Sequence, residues 1–175
     1  MRRSIIITAL LAALALSAHG AGAEGFAAAR GARQNAAGGV TAGQARAFNG
    51  ENGGFAARRG FASDGEGNAV GGSAGAFKGP NGAEGARAGR WSRSADGSAN
   101  HESGGVYSGA NGNAATYGSA SRDADGNTTA TRSTSANGKN GGSYDGSTTY
   151  ESGSGVSHSG TCTDSSGNVV NCPSR

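Results

Sequence analysis

Apolar and polar positions change pattern near residue 23. Ahead of that point, Arg2 and Arg3 precede a mostly apolar stretch from Ile5 to Ala18, and Ala21-Gly22-Ala23 follows as a small-x-small site. A positive start, an apolar middle and small residues at the cut are the parts of a secretory signal peptide, so residues 1–23 are expected to form a signal-peptide helix removed before Glu24. The apolar run is shorter than the roughly 20 residues needed to cross a bilayer, and no stop-transfer pattern follows, so no transmembrane span is expected after cleavage. No cysteine lies near the cut to carry a lipid.

After residue 25 no segment shows a helical apolar stripe. Thr129, Thr131, Ser133 and Ser135 alternate with other residues, and period-two alternation reads as strand. Asn-Gly and Asp-Gly pairs, whose two residues both accept positive φ, are the strongest short-range turn signals. They recur at Asn49-Gly50, Asp64-Gly65, Asn81-Gly82, Asp96-Gly97, Asn111-Gly112 and Asp125-Gly126, in steps of 15, 17, 15, 15 and 14 residues. Closer copies at Asn137-Gly138 and Asp145-Gly146, and a Ser166-Gly167-Asn168 turn, complete the series. Residues 40–160 are therefore expected to be an Asx-Gly turn repeat of short strands, either a meander or a solenoid. Residues 24–39 are expected to be irregular or disordered, with an Ala content that permits some helix.

Phe61, Phe77, Trp91 and Tyr107 lie 3, 4, 5 and 4 residues ahead of their Asx-Gly pairs. In a meander, aromatics two repeats apart would align; in a solenoid, neighbours would stack. Alternatively, each ring only pins its own hairpin.

Composition limits how such strands can be held. Every Leu and Ile, and the single Met, lies within residues 1–23. Beyond them the large apolar side chains are a few Phe and Val, Trp91 and four Tyr, diluted among 35 glycines in the whole chain. So little apolar bulk does not offset the entropy of ordering the backbone around a dry core, and the fold is expected to be an all-β, low-complexity repeat without a compact core and partly disordered. A conventional globular enzyme is not expected, nor any cofactor. Outer-membrane barrels share the ten-residue alternating segments, but Ala83 to Ser94 spreads Glu84, Arg87, Arg90 and Arg93 over both faces, which hydrocarbon does not tolerate.

Charge divides along the chain. Residues 24–93 hold nine Arg or Lys against five Asp or Glu, and residues 94–175 hold four against seven. Arg58-Arg59-Gly60-Phe61 and the run Arg87, Arg90, Trp91, Arg93 interleave cations with aromatics, a pattern suited to an anionic polymer. In an exported protein the more accessible partners are anionic envelope polysaccharide or lipid headgroups, and no specific nucleic acid is expected. The same arginines also serve simply to keep an aggregation-prone repeat in solution. The preference for Arg over Lys, with abundant Ala and Gly, is the habit of high-GC bacterial genomes.

Cys162 and Cys172 flank the turn-rich Asp164-Ser165-Ser166-Gly167-Asn168, so residues 161–175 are expected to be a disulfide-closed hairpin in an oxidising compartment, periplasmic or extracellular. Remaining chemical motifs are weak. Gly71-Gly72-Ser73-Ala74-Gly75 matches a nucleophile-elbow spacing, but a fifth of the chain is glycine and no helix is predicted after Ser73. Asp123-Ala124-Asp125-Gly126-Asn127 resembles the opening of a calcium loop, yet its twelfth position is Thr134 where a glutamate is required. His101 and His158 are too isolated for a metal site.

The sequence thus points to a secreted, non-enzymatic repeat protein of a surface or extracellular matrix that partners itself through β-strand association. The rival expectation is a monomeric module that binds anionic polysaccharide or the envelope surface through Arg58, Arg59, Phe61, Arg87, Arg90, Trp91 and Arg93.

Overall fold

The computed structural model describes residues 24–172; the expected signal peptide at residues 1–23 lies outside the described residues. Eleven strands follow one another: β1 Gly25–Gln34, β2 Val40–Gly50, β3 Gly53–Ser63, β4 Ala69–Lys78, β5 Glu84–Arg93, β6 Ala99–Gly109, β7 Gly112–Arg122, β8 Thr128–Gly138, β9 Ser143–Glu151, β10 Gly155–Thr163 and β11 Val169–Val170. Each pairs antiparallel with the next, in strict chain order, to form one open sheet. The alternatives of meander and solenoid are thereby resolved: every strand pairs with its sequence neighbours, as a meander requires.

Residues 24–39 depart from the expectation of an irregular segment. Gly25–Gln34 is a full edge strand whose ten residues all pair with β2. Its Ala-rich sequence favours helix in isolation, but β2 offers a complete ladder of backbone partners, and tertiary pairing overrides that weak local preference.

The turns obey a rule broader than Asx-Gly. In the five-residue turns starting at Asn35, Asp64, Gly79, Ser94, Asp123, Gly138 and Asp164, the first residue's N–H donates to the fifth residue's carbonyl, at 2.6–3.1 Å. The fourth residue is glycine with positive φ in every one of them; in the turn starting at Gly79 the third residue, Asn81, has positive φ as well. Among the described residues Asn81 is the one non-glycine residue with positive φ; in the other turns only glycines take it. Two-residue turns at Glu51-Asn52 and Ala110-Asn111 close on Gly53 and Gly112. Asn49-Gly50 and Asn137-Gly138 end strands β2 and β8, and Asp145-Gly146 lies inside β9, paired with Gly160 and Thr161. That last pair is no turn, because on both sides of it β9 is flanked by complete strands that fix its backbone as extended.

Asx side chains organise these turns. Asp164 accepts from the backbone N–H of Ser166 (2.8 Å) and Asn168 (2.9 Å) and from the Asn168 amide (3.2 Å). Asp123 holds Asn127 in the same way, and Asp64 holds Glu66 and Asn68. Neighbouring turns are stitched together: Asn35 Nδ2 donates to the Ser63 carbonyl (2.6 Å), and Asn68 Oδ1 accepts from the Ala95 N–H (3.0 Å).

The sheet is a single layer. Among the described residues only Gly39, Asp64 and Cys162 are buried, and of the large apolar and aromatic side chains only Val70 and Tyr144 are half-buried, the others being exposed. A sheet ordinarily buries one face against a second layer; here no second layer is present within the described residues.

Candidate functional site

Paired residues in an antiparallel sheet share a face, and side chains alternate along each strand. The continuous pairing therefore sorts every strand side chain onto one of two faces. One row runs Phe26–Phe48–Phe55–Phe77–Gly85–Tyr107–Ala114–Ala136–Tyr144–Cys162–Val170 from β1 to β11. A second row on the same face, six residues along each strand, carries Phe61, Trp91, His101 and Tyr150. All aromatic residues except Tyr117 stand on this aromatic face. The opposite face is built of small residues. In one of its rows Ala27, Ala47, Ala56, Ala76 and Ala86 adjoin across five strands, and farther on Ser and Thr hydroxyls bond across strands, as between Ser121 and Thr129 (2.8 Å).

Aromatics two repeats apart do align, and glycine makes the alignment close. Phe77 and Tyr107 lie on either side of Gly85, their ring centroids 6.4 Å apart. Phe61 and Trp91 likewise flank Gly71. A Cβ at Gly71 would lie 2.6 Å from Trp91 Cε2, and one at Gly85 would lie 2.6 Å from Phe77 Cε1. Trp91 and Phe77 thus each rest on the bare backbone of a glycine in a neighbouring strand, an arrangement that covers peptide groups with apolar surface. Phe48 and Phe55 pair directly, with centroids 6.1 Å apart.

The charges divide by face far more sharply than along the chain. Arg30, Arg46, Arg59, Arg87, Arg93, Arg122 and Arg132 stand on the aromatic face, and no Asp or Glu of any strand does. The strand acids Glu84, Glu102, Asp145 and Glu151 are all on the small-residue face, where Arg33, Arg58, Lys78 and Arg90 balance them. The other described carboxylates are in turns or, like Glu24, at the margin, where Glu24 accepts from the Glu51 N–H (3.2 Å). Four turn aspartates are held below the ordinary carboxylate range. For Asp64, Asp96 and Asp123 the side chain of the residue at or near the turn's end is the main cause; for Asp164 it is the Asn168 backbone N–H.

This geometry divides the set of residues expected to meet an anionic polymer. Arg59, Phe61, Arg87, Trp91 and Arg93 share the aromatic face. Arg58 and Arg90 do not; adjacent or odd-numbered spacing in a strand sends them to the other side, where Arg90 pairs with Glu102 (2.6 Å), both side chains well exposed. Sequence proximity had grouped them; strand alternation separates them. Missed by local reading are Arg30, Arg46, Arg122 and Arg132, which register gathers on the same face from four different strands. Gln44 lies between Arg46 and Arg59; with its amide oxygen turned toward them it accepts from Arg46 at 2.9 Å and Arg59 at 3.1 Å.

No catalytic constellation forms around the other motifs. Ser73 is mid-strand in β4, between Arg59 and Gly89, with neither the sharp turn nor the helix of a nucleophile elbow. Asp123 uses its carboxylate on its own turn. His158 meets Thr148 (2.9 Å) and the Tyr144 hydroxyl (3.3 Å). No group of three potential metal ligands occurs among the described residues. Cys162 and Cys172 form the expected disulfide, with Cα atoms 5.2 Å apart, which is compatible with an oxidising compartment. No helix among the described residues is long and apolar enough to cross a membrane. Neither a protein-family model, nor a curated protein, nor a solved structure matches the chain.

Proposed function

We propose that this protein is an exported, non-enzymatic structural subunit of a bacterial surface or extracellular matrix, and that copies join edge to edge through their sheets. One observation carries the reading: the described residues form an eleven-stranded sheet with no second layer and two open edges among them. Among the described residues the outer edge of β1 has no partner strand, and β11 covers only Cys162 and Thr163 of β10, leaving Gly155 to Thr161 open. Unpaired N–H and C=O groups in such edges are templates for another strand. Because β10 runs antiparallel to β1, a second copy added in the same orientation continues the meander, placing His158 opposite Arg30 and Val156 opposite Ala32. Head-to-tail contacts of this kind do not close, so they generate filaments. The signal-like residues 1–23 and the disulfide support a place outside the cytoplasm.

The test is fibre diffraction and thioflavin fluorescence on concentrated protein. Reflections near 4.7 Å along the fibre axis are expected, since strands would stack perpendicular to it. Protein that stays monomeric at high concentration and gives no cross-β signal refutes the proposal.

A further inference from the structure

We infer that the aromatic face is a binding trough for a linear, carboxylate-bearing polysaccharide that lies across the strands. This goes beyond edge association and does not depend on it. The two aromatic rows are six residues apart along each strand, about 20 Å at strand rise. Between them run two rows without an acid or a Phe, Tyr or Trp, where Arg30, Arg46, Arg59, Arg87 and Arg132 rise among Gly, Ala, Ser and Thr, with Gln44 and, at the β10 end, His158. The floor is low because glycines such as Gly75, Gly89 and Gly105 lie beside these arginines. From β1 to β10 the trough is about 40 Å long at ordinary strand spacing.

Charge complementarity selects the occupant. Among the described residues the one ion pair within 4.0 Å is Arg90–Glu102, on the other face, so the guanidiniums of the trough are not neutralised by the protein. Arg46 and Arg59 instead converge on the neutral Gln44, an arrangement that gathers positive charge and leaves guanidinium edges free. A guanidinium binds a carboxylate through two parallel hydrogen bonds, and flanking aromatic rings offer flat apolar surfaces to the C–H faces of sugars. A polymer with regularly repeated carboxylates satisfies both requirements at once. The disulfide favours a glycan over nucleic acid, because oxidising compartments hold the former in quantity.

The experiment measures binding of the full chain to polygalacturonate, neutral dextran and single-stranded DNA, at concentrations where sedimentation shows monomer. Two triple variants remove equal charge from opposite faces: Arg46→Gln/Arg59→Gln/Arg87→Gln in the trough, and Arg33→Gln/Arg58→Gln/Arg90→Gln on the small-residue face. All six side chains lie on an open sheet, and circular dichroism checks that the strands persist. Expected are salt-sensitive binding of polygalacturonate, none of dextran, a loss of at least tenfold in the trough variant and less than threefold in the other. Equal losses from both faces would mean unspecific charge attraction and overturn the proposal. So would unaffected binding in the trough variant, or tighter binding of DNA than of polygalacturonate, which would assign the face to nucleic acid.

Discussion

At the scale of single residues, the turns concentrate the positions where one side chain decides the backbone. Gly112 has φ of 132°, and a Cβ there would be driven into the Asn137 carbonyl of β8, whereas Gly97, with φ of 90°, faces open space. Gly97→Ala is expected to cost about 1–2 kcal/mol, the penalty of left-handed backbone for an L-residue. Gly112→Ala should cost distinctly more, and paired urea melts of the two variants provide the comparison. The turn aspartates predict a pH dependence. Their folded pKa values lie below the ordinary 3.8, so the ionised form is the one that the turns stabilise. The contribution is fully present above about pH 4 and is lost as pH falls through the depressed folded values. Urea midpoints should therefore drop between neutral pH and about pH 2, and Asp164→Asn, which keeps an acceptor oxygen but cannot ionise, should flatten part of that drop. A midpoint indifferent to acid would show that these carboxylates do not support the fold.

Elements differ in how they are held. Strands β2 to β9 each have two full neighbours, so their backbone groups are paired on both sides. β11 has two residues and one neighbour, and its Val169 and Val170 remain substantially exposed. Such a strand has little but the Cys162–Cys172 bond and the Asp164 turn to keep it in place. Closing so short a loop contributes about 2–3 kcal/mol in the chain-entropy model. Reduction, or Cys162→Ser with Cys172→Ser, is expected to release residues 164–172 while leaving the centre of the sheet intact. Hydrogen exchange reads this directly: amides of the last hairpin should lose protection and those of β4 to β7 should keep it. Uniform loss throughout would show that the disulfide holds the whole sheet.

For the molecule as a whole, the defining quantity is exposed apolar surface. Large contiguous apolar patches on a protein surface commonly mark interaction sites, and the partners proposed above are another copy at the edges and a polymer over the face. Charging the open edge tests the first. Val156→Lys with His158→Lys would set lysines against Arg30 and its neighbours in an adjoining β1, and like charges across a strand pair oppose association. Filament formation should be abolished, while the isolated sheet keeps its strand signature by circular dichroism; filaments that form unchanged would place the contact elsewhere.

Much of this architecture is written locally. Turn chemistry and period-two alternation depend on neighbours in sequence, so the strand-and-turn repeat, the hairpin across Asp164 to Asn168 and the pairing of Cys162 with Cys172 are legible from residues alone. The shortage of large apolar residues is likewise compositional, and it is mirrored in a sheet where Cys162 is the one buried apolar side chain among the described residues. Other features depend on register, which sums over many turns and cannot be read from one segment. Only pairing with β2 makes Gly25–Gln34 a strand, only complete strands on both sides keep Asp145-Gly146 extended, and only alternation parts Arg58 and Arg90 from Arg59 and Arg87. A shift of one residue at any turn would send every later side chain to the other face. The gathering of seven arginines and nearly every aromatic on one acid-free surface is therefore decided by the tertiary structure, through the lengths of all the turns together.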